Sequence, residues 1–171
     1  MIFFLKCSIL LEVVSIGMVL EGGLTAPAKN EKPAKQPVEF SHKRHARSGF
    51  ECSVCHRLDG EGRAAGLPQV DDCLVCHRTV SAKSPAIQKL IGFQNSNQPV
   101  PWVRLYRLPE FVFFSHRKHV DSGITCQACH GRVAKRDVLK KEKPTSMNAC
   151  VDCHKKSKAS VACNLCHELD Q

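Results

Sequence analysis

Residues 40–56 read Phe40-Ser41-His42-Lys43-Arg44-His45-Ala46-Arg47-Ser48-Gly49-Phe50-Glu51-Cys52-Ser53-Val54-Cys55-His56, and two elements stand in that stretch. One is a pair of histidines three positions apart after Phe-Ser. The other is a pair of cysteines with two residues between them and His directly after. The second element recurs as Cys73-Leu-Val-Cys76-His77, Cys126-Gln-Ala-Cys129-His130, Cys150-Val-Asp-Cys153-His154 and Cys163-Asn-Leu-Cys166-His167. Ten of the 11 cysteines fall in these motifs, and with only nine histidines in 171 residues, His after every pair is no accident of composition. The first element recurs once, as Phe114-Ser-His116-Arg-Lys-His119.

Cys-x-x-Cys-His is the attachment motif of c-type haem. The two thiols add across the porphyrin vinyl groups, and the adjoining His supplies the proximal nitrogen to iron. Rival readings explain less. A disulfide scaffold accounts for an even cysteine count but not for the histidines. Zinc ribbons combine two pairs per metal and need no adjoining His. A thioredoxin-like motif requires a βαβ context, which is not legible here. The expected cofactors are therefore five haem c groups. Their thioethers are Cys52, Cys55, Cys73, Cys76, Cys126, Cys129, Cys150, Cys153, Cys163 and Cys166, and their proximal ligands are His56, His77, His130, His154 and His167. The leftover Cys7 lies in an apolar stretch and reads as a small hydrophobe.

Four histidines remain: His42, His45, His116 and His119. At i and i+3 of a helical turn both imidazoles leave one face, so each pair can serve two irons. The Phe-Ser-His-x-x-His element followed by Cys-x-x-Cys-His resembles the class III multihaem cytochromes, the cytochrome c3 and c7 group. That resemblance implies a small, loop-rich fold with short helices, its core formed largely by the covalently bound haems. It also implies distal ligation by residue: His42 opposite His56, His45 opposite His77, His116 opposite His130, and His119 opposite His154. The His167 haem is left without a histidine. Where the trihaem family carries its last distal His, this chain has Lys143-Pro-Thr-Ser-Met147-Asn-Ala-Cys150. Met147 is then the candidate distal ligand, since a thioether is a recognised axial group. The other readings are a Met packed on a porphyrin, a five-coordinate iron, or a cap by Lys or a partner chain.

The duplication sets the organisation. A dihaem unit is expected over 38–80, a connector over 81–110 and a trihaem, c7-like unit over 111–171. The connector holds Pro85, Pro99, Pro101 and Pro109, with a short helix predicted over Ile87–Phe93 and a strand or extended segment from Trp102 into the second His pair. Arg104 and Arg107 are candidates to pair with haem propionates. Residues 1–28 read as a signal peptide ending near Ala26-Pro-Ala28, or as a retained membrane anchor, and 29–37 as a flexible tether.

Composition excludes collagen-like, coiled-coil and multi-span membrane chains. Aromatics are 6% of the chain, and beyond the leader it is rich in Lys, Pro and Gly. Such a chain needs covalent or metal staples to fold. The net charge of +9 offsets ionised propionates, so no nucleic-acid partner is called for. With no Ser-His-Asp set, phosphate loop or acidic pair, the expectation is an electron-transfer protein rather than an enzyme. Covalent haem attachment implies export, which puts the chain on the periplasmic side of the bacterial inner membrane. Five motifs in two units, the leader and the Trp102 approach to the second His pair resemble the pentahaem subunit of quinol-oxidising membrane complexes of the alternative complex III type. The partners implied are redox proteins, as other subunits of a membrane respiratory complex. The alternatives are a soluble periplasmic shuttle and a multihaem reductase with one five-coordinate haem.

Overall fold

Serine hydroxyls decide where the helices begin. The computed structural model describes residues 33–168, and within them helices α1 (His42–Arg47), α4 (Pro85–Asn95), α5 (His116–Asp121) and α7 (Met147–Lys156) each start behind a serine. Ser41, Ser84, Ser115 and Ser146 accept a hydrogen bond from the backbone N–H three residues on, at 3.2, 3.3, 3.3 and 3.4 Å. Each satisfies a donor that the first helical turn leaves unpaired. Helix α3 (Val70–His77) is instead locked by Asp72, whose carboxylate accepts from the Gln69 N–H at 2.8 Å. Two shorter helices, α2 (Cys52–Cys55) and α6 (Cys126–His130), and 3-10 turns at Val133–Lys135 and Cys163–Leu165 complete the order.

The helix predicted over Ile87–Phe93 runs two residues further at each end. Ser84 caps it and Pro85, with φ already suited to a first helical residue, opens it. The segment after Trp102 forms no strand. Among the described residues the only β pairing is an isolated bridge between Leu58 and Ala65.

One apolar cluster forms. Val70 and Leu74 of α3 meet Ile87 and Leu90 of α4, with Val38 and Val100 closing the ends and Phe93 and Trp102 on the rim. Leu74 is 1% exposed, and burying such a side chain contributes about 1.5–3 kcal/mol. Polar ties hold the rim: Gln94 donates to Asp71 at 2.7 Å, and the Trp102 indole donates to the Pro68 carbonyl at 3.3 Å. Gln36 exchanges two hydrogen bonds with the Val103 backbone, at 2.9 and 3.0 Å.

Among the described residues after 110 no apolar side chain is buried, and Phe111 and Met147 are 62% and 67% exposed. The chain therefore has the small, loop-rich, short-helix architecture that its sequence predicts. No described helix is long and apolar enough to cross a membrane. The leader at 1–28 and the first part of the tether lie outside the described residues.

Candidate haem sites

The two His-x-x-His helices are built alike. In each, the serine caps through its hydroxyl and, through its own carbonyl, accepts from the second histidine: His45 Nδ1 to Ser41 at 2.9 Å and His119 Nδ1 to Ser115 at 2.8 Å. The preceding phenylalanine wedges between the two rings. Phe40 meets His42 edge-on at 4.7 Å and lies over His45 at 4.4 Å. Phe114 does the same to His116 and His119, at 4.7 and 4.8 Å. Within each repeat, four residues, Phe-Ser-His and the His three further on, thus set two imidazole directions locally.

Each of these four rings faces a motif histidine. His42 and His56 lie with centroids 6.2 Å apart and planes 4° from parallel; His116 and His130 lie 6.4 Å apart at 5°. His45 and His77 are 6.1 Å apart at 63°, and His119 and His154 are 6.1 Å apart at 45°. Metal–imidazole bonds run about 2 Å, so two imidazoles on opposite sides of one ion carry their centroids roughly 6 Å apart. The spacing of all four pairs suits that arrangement.

Protonation suits it as well. The Nδ1 of His56 donates to the Gly66 carbonyl at 2.8 Å, His77 to Val80 at 2.8 Å, His116 to Arg63 at 2.8 Å and His154 to Ser160 at 2.6 Å. A carbonyl can only accept, so Nδ1 carries the proton and Nε2 keeps its lone pair for a metal. Burial, then the charges of His56 and His45, lowers the His42 pKa to about 4. Burial, then His116 and His56, lowers that of His130. Both rings are therefore neutral near pH 7, the form that ligates. His42 Nδ1 is buried without a hydrogen-bond partner.

The ten motif thiols are all free. In α2, α3, α6 and α7 the two cysteines of a motif are three apart on one helical turn, which puts both sulfurs on the same side. Burial pushes the Cys55, Cys73, Cys129 and Cys150 thiols up. The fifth motif sits on a 3-10 turn. Its His167 donates from Nδ1 to the Phe111 carbonyl at 3.4 Å, with the Phe111 ring 5.8 Å away. Glu110, Phe111, Phe113, His167 and Glu168 line an open cleft there. Among the described residues no second imidazole faces His167, and Met147 stands at the start of α7. Free thiols in pairs, imidazoles with open Nε2 atoms and a chain short of buried apolar groups together fit covalently bound haem.

The class III cytochrome C family model matches residues 21–98, and the model for cytochrome c7 and related cytochrome c matches 112–168. A curated cytochrome c3 of Maridesulfovibrio salexigens is 31% identical over 138 residues, covering 79% of this chain and 92% of the relative. The chain belongs to the cytochrome c3/c7 group of multihaem cytochromes. A second relative, "Menaquinone reductase, multiheme cytochrome c subunit" of Nitratidesulfovibrio vulgaris, is 32% identical over 135 residues. The match covers 78% of this chain and 51% of that subunit's length. As a c3/c7-like cytochrome the protein holds covalently bound haem c and transfers electrons. The haem iron supplies one-electron exchange; the protein supplies ligands, spacing and burial.

Several residues that organise this cytochrome's sites escape a motif reading. Tyr106 packs edge-on against His130 at 4.5 Å, and its hydroxyl accepts from the Glu142 N–H at 3.0 Å. Glu142 in turn accepts from the Arg132 N–H at 2.9 Å and pairs with Arg136. The serine caps were findable, as Ser directly before each His-x-x-His. The carbonyl acceptors were not, because they depend on where the chain folds back.

Proposed function

We propose that this protein is a pentahaem c-type cytochrome that conducts electrons along closely spaced haems, as the periplasm-facing subunit of a membrane quinol-oxidising complex. The observation that carries the haem assignment is the set of four imidazole pairs at 6.1–6.4 Å, each joining a repeat histidine to a motif histidine. In this reading Cys52/Cys55, Cys73/Cys76, Cys126/Cys129, Cys150/Cys153 and Cys163/Cys166 bear the thioethers. His56, His77, His130, His154 and His167 are the proximal ligands, and His42, His45, His116 and His119 are the distal ones. Met147 is the distal ligand of the His167 iron. In support, Met147 opens α7 one turn before Cys150, which lies near Cys166 of the fifth motif. The units are 38–80 with two haems and 111–171 with three. The relative named as a menaquinone reductase subunit supports a place in a quinol-linked assembly, with its other subunits as partners.

The test is intact-mass measurement with optical and magnetic spectra. Five haem masses should be added to the chain, with four irons low-spin and bis-imidazole and one iron distinct. Fewer than five adducts, or four histidine-ligated irons that bind carbon monoxide when reduced, would overturn the assignment. The cytochrome c3 match, at 92% of that relative's length, favours a second reading, a soluble shuttle. Co-purification with other subunits from detergent-solubilised membranes supports the first; recovery of the whole chain in the soluble fraction supports the second.

A further inference from the structure

The repeated helices α1 and α5 do not sit against equivalent parts of their own units; they are exchanged. In α1 the Lys43 N–H donates to the Arg136 carbonyl at 2.9 Å, and in α5 the Arg117 N–H donates to the Gly62 carbonyl at 3.1 Å. Lys43 and Arg117 hold the same place in the repeat, directly after its first histidine. Arg136 and Gly62 also correspond, each lying six residues after a motif histidine, His130 and His56. The helix of each unit is thus held by the loop that follows the other unit's first motif.

The surrounding contacts repeat the exchange. The Ser41 hydroxyl donates to Asp137 at 2.6 Å, and the Ser115 hydroxyl donates to the Gly62 carbonyl at 3.4 Å. Lys43 pairs with Asp137 at 3.3 Å, while the Arg117 guanidinium donates to the Asp59 carbonyl at 3.2 Å. His116 Nδ1 donates to Arg63, the residue after Gly62. Gly62 has φ +71°, and a Cβ there would run into Arg117. The turn therefore requires glycine, because only a residue without Cβ lets the two backbones approach.

We infer that the two units are locked by a reciprocal clasp that sets the Cys52 and Cys126 attachment sites against each other. The order of attachment sites along the molecule is then second, first, third, fourth, fifth. Helix α1 faces both His56 and His77, so the first and second sites adjoin; α5 faces both His130 and His154, so the third and fourth adjoin. The clasp joins the first to the third. The fifth site hangs from the segment entering α5, where the Phe113 N–H donates to the Cys166 carbonyl at 2.9 Å. Neighbouring thiols agree: Cys52 lies near Cys126, Cys73 near Cys55, Cys129 near Cys153 and Cys150 near Cys166. The clasp itself is a contact between chain segments; the site order rests on the five-haem reading above.

The test uses the holoprotein, first shown by mass to carry five haems, so that failure of the haem reading is registered separately. A zero-length amine–carboxylate coupling reagent should join Lys43 to Asp137, recovered as a linked peptide pair and lost in Asp137→Asn. Hydrogen exchange then tests reciprocity. Gly62→Ala should speed exchange several-fold in residues 114–121 and also in 41–48, which Gly62 does not touch. Asp137→Asn, which keeps its shape, should speed exchange in 41–48 and in 114–121. Absence of the linked pair from five-haem protein, or acceleration confined to the segment touching the altered residue, would overturn the clasp.

Discussion

The segment from 33 to 110 and the segment from 111 to 168 use the same His-x-x-His helix and solve the problem of an interior differently. The first builds a small apolar cluster from α3 and α4, with Leu74 at its centre. The second has no buried apolar side chain among its described residues, and holds its main loop with polar contacts among Arg132, Arg136 and Glu142, with Tyr106 of the first segment joining them. Helix α4, which completes the cluster, stands in the chain where the second segment has no counterpart. The lesson is that the His-x-x-His helix needs no core of its own. Ser caps and a Phe wedge orient its rings, so the same local arrangement of two imidazoles stands on an apolar platform in one segment and without one in the other.

The largest expected effect breaks the comparison outright. In chain made without haem attachment, hydrogen exchange should find no protected amides over 111–168, with residual protection confined to α3, α4 and their contacts. Protection in α5–α7 would show that the second segment has an interior of its own. A smaller effect sharpens the contrast. Leu74→Ala should destabilise the holoprotein by about 2–5 kcal/mol in denaturant unfolding, whereas Val138→Ala, at a side chain 61% exposed, should stay within about 0.5 kcal/mol.

The smallest effect is a pH dependence in the second segment. The Glu142 carboxyl is held below its ordinary 4.5 by its hydrogen bond from Arg136, then by the Arg132 N–H. A depressed carboxyl stabilises the fold above its unfolded pKa and loses that contribution as pH falls through the folded value. Pepsin should therefore begin to cut within 131–143 only as the pH is lowered below about 4.5. In Glu142→Gln, which carries no charge to lose, the cut should already appear at the top of that range. Cleavage independent of both pH and substitution would remove Glu142 from the account.

The fold and the site were legible to different depths. Phe40-Ser-His42 and Phe114-Ser-His116 announce helices because a cap, an apolar wedge and the residues they orient are all within one turn. Helix α4 was only half readable: the Pro-rich connector drew attention to breaks, although Ser84-Pro85 is itself a helix start. The candidate ligands could be named because Cys and His spacing is local. The exchange of α1 and α5 could not, because it rests on backbone pairs such as Lys43 with Arg136 and Arg117 with Gly62, far apart in sequence. The side-chain contacts that accompany them, Lys43 with Asp137 and Arg117 with the Asp59 carbonyl, join residues that no local pattern links.

Seven of the nine histidines hand their Nδ1 proton to a peptide carbonyl. A carboxylate or hydroxyl acceptor can be deleted by a single codon change; a main-chain oxygen cannot. The imidazoles are thereby insulated from most mutation nearby, and surface charge is left free to vary under selection without loosening a single ring.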